Sequence, residues 1–118
     1  MSNQTTIDWP FIRILFGAVG DPADWDLQTI FGDSDPELVK SGMRVISAQT
    51  IPSATNDAIV VRNTANANQT SAPIIQEIAM SKYDIARRRF HGQQRFWPAV
   101  HADDVTDGVI LLLEVIKA

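Results

Sequence analysis

The apolar residues of this chain fall into short runs that end at glycine, proline or acidic turn residues. Three of these runs are typical of strands, at residues 13–17, 43–51 and 109–116, because they are rich in aliphatic and β-branched side chains. The last run is apolar at both alternating positions and follows an Asp107-Gly108 turn. Because a strand that is apolar on both faces is normally covered on both, residues 109–116 are predicted to form the central strand.

Weaker patterns fill the rest of the chain. Residues 24–31 alternate polar and apolar side chains, which predicts a half-exposed strand. Residues 59–61 follow the turn residues Asn56-Asp57 and are predicted to form a hairpin-like partner of the strand at 43–51. Residues 63–71 contain no large apolar side chain, so we expect an exposed loop tip.

Helical signals are few. Asp35 before Pro36 is typical of a helix N-cap followed by proline at the first position, and Gly42 would end a short helix over residues 37–41. The pattern of residues 73–90 does not decide between helix and strand. One face of a helix would hold Ile75, Ile78, Ala79, Ala86 and Phe90, whereas strand spacing fits Ile74, Gln76, Ile78 and Met80.

The predicted fold class is mainly β: an antiparallel β-sandwich or jelly-roll-like barrel with one or two short helices. A chain of 118 residues suffices for one hydrophobic core. Residues 1–10 are expected to form an N-terminal arm, because Ile7 is the only large apolar side chain between Met1 and Asp8. Residues 11–118 are then expected to form a single β domain.

Composition narrows the possible chemistry. The chain contains no cysteine, which excludes disulfides, thiolate nucleophiles and sulfur-ligated metal sites. Residues 1–10 lack the basic and apolar regions of a secretory signal, so we expect synthesis in the cytosol. The apolar run at 109–113 is far shorter than the roughly 20 residues that span a bilayer, and no membrane association is expected.

Charge is distributed unevenly about a formal net charge of −4. An acidic segment over residues 21–37 has no lysine or arginine, and a basic segment over residues 82–95 has Asp84 as its one acid. Such complementary segments predict contact with a second copy or another protein. The acidic segment holds Asp21, Asp24, Asp26, Asp33, Asp35 and Glu37, and the basic segment holds Lys82, Arg87, Arg88, Arg89 and Arg95.

No catalytic, metal or cofactor motif is found, and we expect a protein that is not an enzyme. His91 and His101 match no zinc or iron spacing, and Asp103, Asp104 and Asp107 do not fit a calcium loop. Neither a nucleophile elbow nor a phosphate-binding glycine loop is present.

Residues 87–97 mix arginines with aromatic side chains, a composition that fits a solvated loop, a protein interface or a grip on single-stranded nucleic acid. The acidic net charge makes nucleic acid the least favoured partner.

A monomeric ligand-binding module, with Trp25 or Trp97 stacking on a carbohydrate, is the alternative to an assembly protein. The candidate interface residues are Ile7, Trp9, Asp21, Asp24, Trp25, Asp26, Arg87, Arg88, Arg89, Arg95, Phe96 and Trp97.

The order of features from Met43 onward resembles that of small β-sandwich virion proteins of tailed phages, of the capsid decoration (cement) or head accessory type. These features are Arg44-Val45-Ile46, Asn56-Asp57, Ile59-Val60-Val61-Arg62, an Asn/Thr-rich tip, Pro73-Ile74-Ile75, Arg95-Phe96-Trp97-Pro98-Ala99-Val100 and the closing strand. The resemblance covers about two-thirds of the chain and favours strand over helix for residues 73–80. It implies a structural protein of the virion, made in the host cytoplasm. Such a protein binds the major capsid protein or another virion protein, stabilises the head shell and is often a trimer.

Overall fold

The computed structural model describes residues 3–53, 57–69, 71–79, 86–90 and 95–116, with residues 75–79 and 86–88 described by their backbone. The described part is mainly β with two short helices, which confirms the predicted fold class. Its strands are β1 (Gln4–Asp8), β2 (Phe11–Leu15), β3 (Met43–Ile51), β4 (Ala58–Asn63), β5 (Ile74–Ala79), β6 (Ala86–Arg89), β7 (Arg95–Phe96), β8 (Pro98–Ala99) and β9 (Ile110–Ile116). Its helices are α1 (Leu27–Phe31) and α2 (Pro36–Ser41), and a 3₁₀ turn covers Ala102–Asp104.

The strands form two antiparallel sheets that share one core. The larger sheet has the order β1-β2-β9-β3-β6, with β7 also paired to β3, and the smaller sheet has the order β5-β4-β8. Ile14 and Leu111 of the larger sheet and Ile59 and Val61 of the smaller are buried in the same apolar cluster. This arrangement is a β-sandwich. β9 lies in the middle of the larger sheet, as predicted.

The first strand occupies residues that were expected to form an arm. β1 pairs along its whole length with β2, from Gln4 opposite Leu15 to Asp8 opposite Phe11. The Thr5 hydroxyl accepts a hydrogen bond from the Trp25 indole nitrogen at 3.1 Å, which ties β1 to the core. An edge strand needs few apolar side chains to pair, so its polar sequence does not reveal it.

The prediction of a strand over residues 24–31 is wrong. Trp25 makes an isolated bridge to Val100, and α1 follows. The Asp26 carboxylate caps this helix by accepting from the Thr29 backbone N–H at 2.7 Å. Leu27 and Phe31 are buried four residues apart, on one face of the helix.

The second helix is confirmed with its caps. The Asp35 carboxylate accepts from the Leu38 N–H at 3.2 Å, Pro36 stands in the first turn, and Gly42 ends the helix at φ 76°. The segment after it is also as predicted, since β3 covers residues 43–51.

Two connections differ from the sequence prediction. β4 pairs with β5 and β8, so it does not form a hairpin with β3, and Asn56 of the expected turn lies outside the described residues. The loop expected to be exposed over residues 63–71 buries Thr64 and Ala67. Residues 74–79 and 86–89 are strands, which excludes the helical alternative there, whereas Met80 and residues 81–85 lie outside the described residues.

Candidate interaction surface

Two of the three acidic interface candidates hold the fold together. Asp26 is buried, and its second carboxylate oxygen accepts from the Ala67 N–H at 3.1 Å. Asp24 accepts from the Ala102 N–H at 2.7 Å. Because Asp26 is buried and both of its oxygens accept bonds within the chain, the prediction of an intermolecular role is wrong for Asp26. Asp24 is half-buried, and its role in an interface stays a prediction. Asp21 is exposed and stays a candidate.

The aromatic candidates are mostly packed inside the protein. Trp25 is only 1% exposed, so it offers no stacking platform for a carbohydrate and no interface contact. Phe96 is buried against Phe90, with ring centroids 4.9 Å apart. Trp97 and Trp9 are half-buried; the Trp97 indole nitrogen donates to the Val39 carbonyl at 2.8 Å.

The strands that carry the basic candidates, β6 and β7, both pair with β3 of the larger sheet. Arg89 is exposed on β6 opposite Ser47, and Arg95 lies on β7 opposite Arg44. Arg95 also donates to the Gly42 carbonyl at 3.1 Å. The backbones of Arg87 and Arg88 pair with Gln49 and Ala48 of β3, whereas Lys82 and His91 lie outside the described residues.

A surface that the sequence did not single out covers the solvent side of the larger sheet. Because side chains alternate along a strand, every second residue of β2 and β9 points away from the core, and so do the residues of β3 that lie opposite them on either side of its bulge between Val45 and Ser47. We call this surface the outer face. Its members on these strands are Phe11, Arg13, Leu15, Arg44, Ser47, Gln49, Ile51, Ile110, Leu112, Glu114 and Ile116.

The register aligns apolar side chains across the outer face. Leu15 and Ile51 lie opposite Ile110 from either side, so the three form one continuous row over three strands, each side chain half-buried. Residues directly opposite each other on one face are in contact distance. At the other end of the face, Phe11 is 42% and Ile116 is 39% exposed.

The outer face is basic although the chain is acidic. Arg13 and Arg44 lie in its strands, and the pairing of β6 and β7 with β3 adds Arg89 and Arg95. Two carboxylates lie on the same side of the sheet: Glu114, which accepts from the Ser47 hydroxyl at 3.4 Å, and Asp8 of β1, which is opposite Phe11. The acidic segment over residues 21–37 instead lies in the connection between β2 and β3, and its residues Asp35 and Glu37 line a cleft together with Ile116 of the outer face.

A cleft opens where β9 ends and α2 begins. It has a volume of about 230 Å³, smaller than the roughly 300–1,000 Å³ of typical ligand sites. Most of its lining surface is apolar, and the residues that line it include charges of both signs. The lining residues are Trp9, Asp35, Glu37, Leu38, Ser41, Met43, Arg95 and Ile116.

The residues weighed for metal chemistry have structural contacts. His101 Nδ1 accepts from the Asp103 N–H at 3.1 Å and so caps the 3₁₀ turn. Asp104 Oδ2 lies 3.6 Å from Arg62 Nε as an ion pair. Within the described ranges, no three His, Asp or Glu side chains are grouped as metal ligands. The helices described there are also too short and too polar to cross a membrane.

Comparison of the chain with known proteins does not assign a role to this surface. No protein family, curated protein or solved structure matches the chain. The interpretation of the outer face therefore depends on its own geometry and charge.

The signal for the outer face was present in the sequence of β9. Its two-faced apolar pattern predicted burial on both sides, but only Leu111, Leu113 and their neighbours are covered by the second sheet. Ile110 and Leu112 point to the other side and remain half-buried. An apolar face that the described part of the fold leaves partly exposed is typical of a protein-binding surface.

Proposed function

We propose that this protein is a non-catalytic assembly module whose outer face binds an acidic surface of another protein. The observation that carries the proposal is the apolar row of Leu15, Ile110 and Ile51 at one end of a face that also carries arginines along its length. The solvent side of an antiparallel sandwich is normally polar, so an aliphatic row there is unexpected in a free monomer. Protein interfaces have an apolar core and are enriched in arginine, so a face that combines the two fits a protein-binding surface.

The arginines and the apolar row contribute to binding in different ways. Arg13 and Arg89 are exposed, so their attraction to a partner is screened by salt and chiefly sets orientation and association rate. Leu112 and the apolar row are half-buried, so covering them supplies affinity that changes little with salt.

For the class of partner, we propose the major capsid protein or another virion protein of a tailed phage. The chain would then decorate the head shell and stabilise it, as the resemblance from Met43 onward implies. Support comes from that resemblance together with the β-sandwich architecture. An assembled form with several copies on the shell is part of this proposal.

The test is co-expression of this chain with the tailed-phage major capsid protein proposed as its partner, followed by sedimentation of the shells. Leu112→Asp and Arg13→Glu should remain folded and no longer sediment with shells, and Arg13→Ala should weaken binding less. Val19→Asp is the matched control, because Val19 is 73% exposed and lies outside the strands of the outer face. Sedimentation of Leu112→Asp and Arg13→Glu at the wild-type level would contradict the proposal.

A further inference from the structure

The larger sheet has one edge that the rest of the fold leaves open. β1 forms this edge, and in the described part of the chain no residue outside β2 pairs with its backbone. Gln4 and residues 6–8 are exposed. Unpaired N–H and C=O groups along an edge strand are a template for pairing with another strand.

The two edges of the sheet differ in how strongly their sequences oppose pairing with a strand of a second copy. At the far edge, β6 has the sequence Ala-Arg-Arg-Arg, whose like charges oppose pairing with a second copy of itself. β1 has the sequence Gln-Thr-Thr-Ile-Asp, with no lysine or proline and β-favouring residues at its centre. Only Asp8 is charged.

Self-pairing of β1 gives a complementary register. In an antiparallel pair centred on Thr6, this residue meets Thr6 of the second copy on the two-fold axis. Thr5 then lies opposite Ile7 of the second copy, and Gln4 lies opposite Asp8 of the second copy. No like charges face each other, and Ile7, now 42% exposed, gains a cross-strand neighbour.

We propose that two copies of this chain associate through antiparallel pairing of β1, so that their larger sheets become one continuous sheet. An interface of this kind is isologous and closes at two copies. The outer faces of both copies then lie side by side, which doubles the number of binding faces per particle. The inference depends on the β1 edge alone and stands apart from the proposed function of the outer face.

The experiment places charges on the two-fold axis and measures mass by light scattering after gel filtration. Thr6→Glu should stay folded, because Thr6 is exposed and lies opposite Arg13 of β2. Its carboxylate meets the same carboxylate of the second copy, so the dissociation constant should rise at least about tenfold. Thr6→Lys should raise the dissociation constant to a similar extent, and an equimolar mixture of the two variants should recover the dimer. Val19→Lys, at an exposed site off the sheet, should remain dimeric.

The proposal is overturned if the wild type is monomeric at concentrations up to about 1 mM. It is also overturned by a trimer, or by a dimer that neither Thr6 variant weakens. A folded monomer that still sediments with shells would reject the β1 dimer and leave the proposed function in place. A dimer that binds no shells would support the pairing of β1 and contradict the proposed function.

Discussion

Replacement of Asp26 by Asn should destabilise the protein far more than the same change at Asp35. Both carboxylates cap a helix, Asp26 through Thr29 at 2.7 Å and Asp35 through Leu38 at 3.2 Å. Among the described residues, only Asp26 has a second such bond: its other oxygen accepts from the Ala67 N–H at 3.1 Å. Asn keeps one carbonyl oxygen, so it satisfies one of these two donors at a time.

The expected magnitudes follow from that difference. Asp26→Asn loses one hydrogen bond to a charged acceptor at a buried site, which should lower the free energy of unfolding by about 1.5–3 kcal/mol. Asp26→Ala also loses the cap and should cost about 1 kcal/mol more. Asp35→Asn should change stability by less than about 0.5 kcal/mol, because Asn caps as well as Asp.

Urea unfolding followed by tryptophan fluorescence gives these free energies by linear extrapolation, and an unchanged slope shows that the denatured state is comparable. If both Asn variants lose the same stability, the bond from Asp26 to Ala67 does not hold the loop after β4 against α1. The assignment of Asp26 to a structural role would then fail.

Two further matched pairs test the fold by the same measurement. Gly17→Ala and Gly20→Ala should each cost about 1–2 kcal/mol, since both glycines have φ above 70°. Gly17→Ala should cost more, because its new Cβ would overlap the Asp107 carboxylate, whereas nothing lies near Gly20. Leu111→Ala, in the core, should cost about 2–5 kcal/mol, and Leu112→Ala, on the outer face, less than about 1.5 kcal/mol. Equal losses within either pair would contradict the assigned environments.

The sequence by itself determined the elements whose signals are local. The Asp35-Pro36 start and the Gly42 end of α2 depend on backbone conformation and capping within a few residues. β3 follows from its β-branched composition, and the position of β9 at the centre of the sheet follows from its apolar residues on both faces.

Only the tertiary structure decided which strands meet and which side chains are covered. β1 forms because β2 offers it an edge, and Asp26 is engaged because the distant Ala67 loop comes beside α1. Trp25 is buried for the same reason, since its bridge partner Val100 lies far along the chain. The outer face is likewise a product of register, because pairing places Leu15 and Ile51 on either side of Ile110. Contacts between residues far apart in sequence leave no local pattern, and burial depends on those contacts.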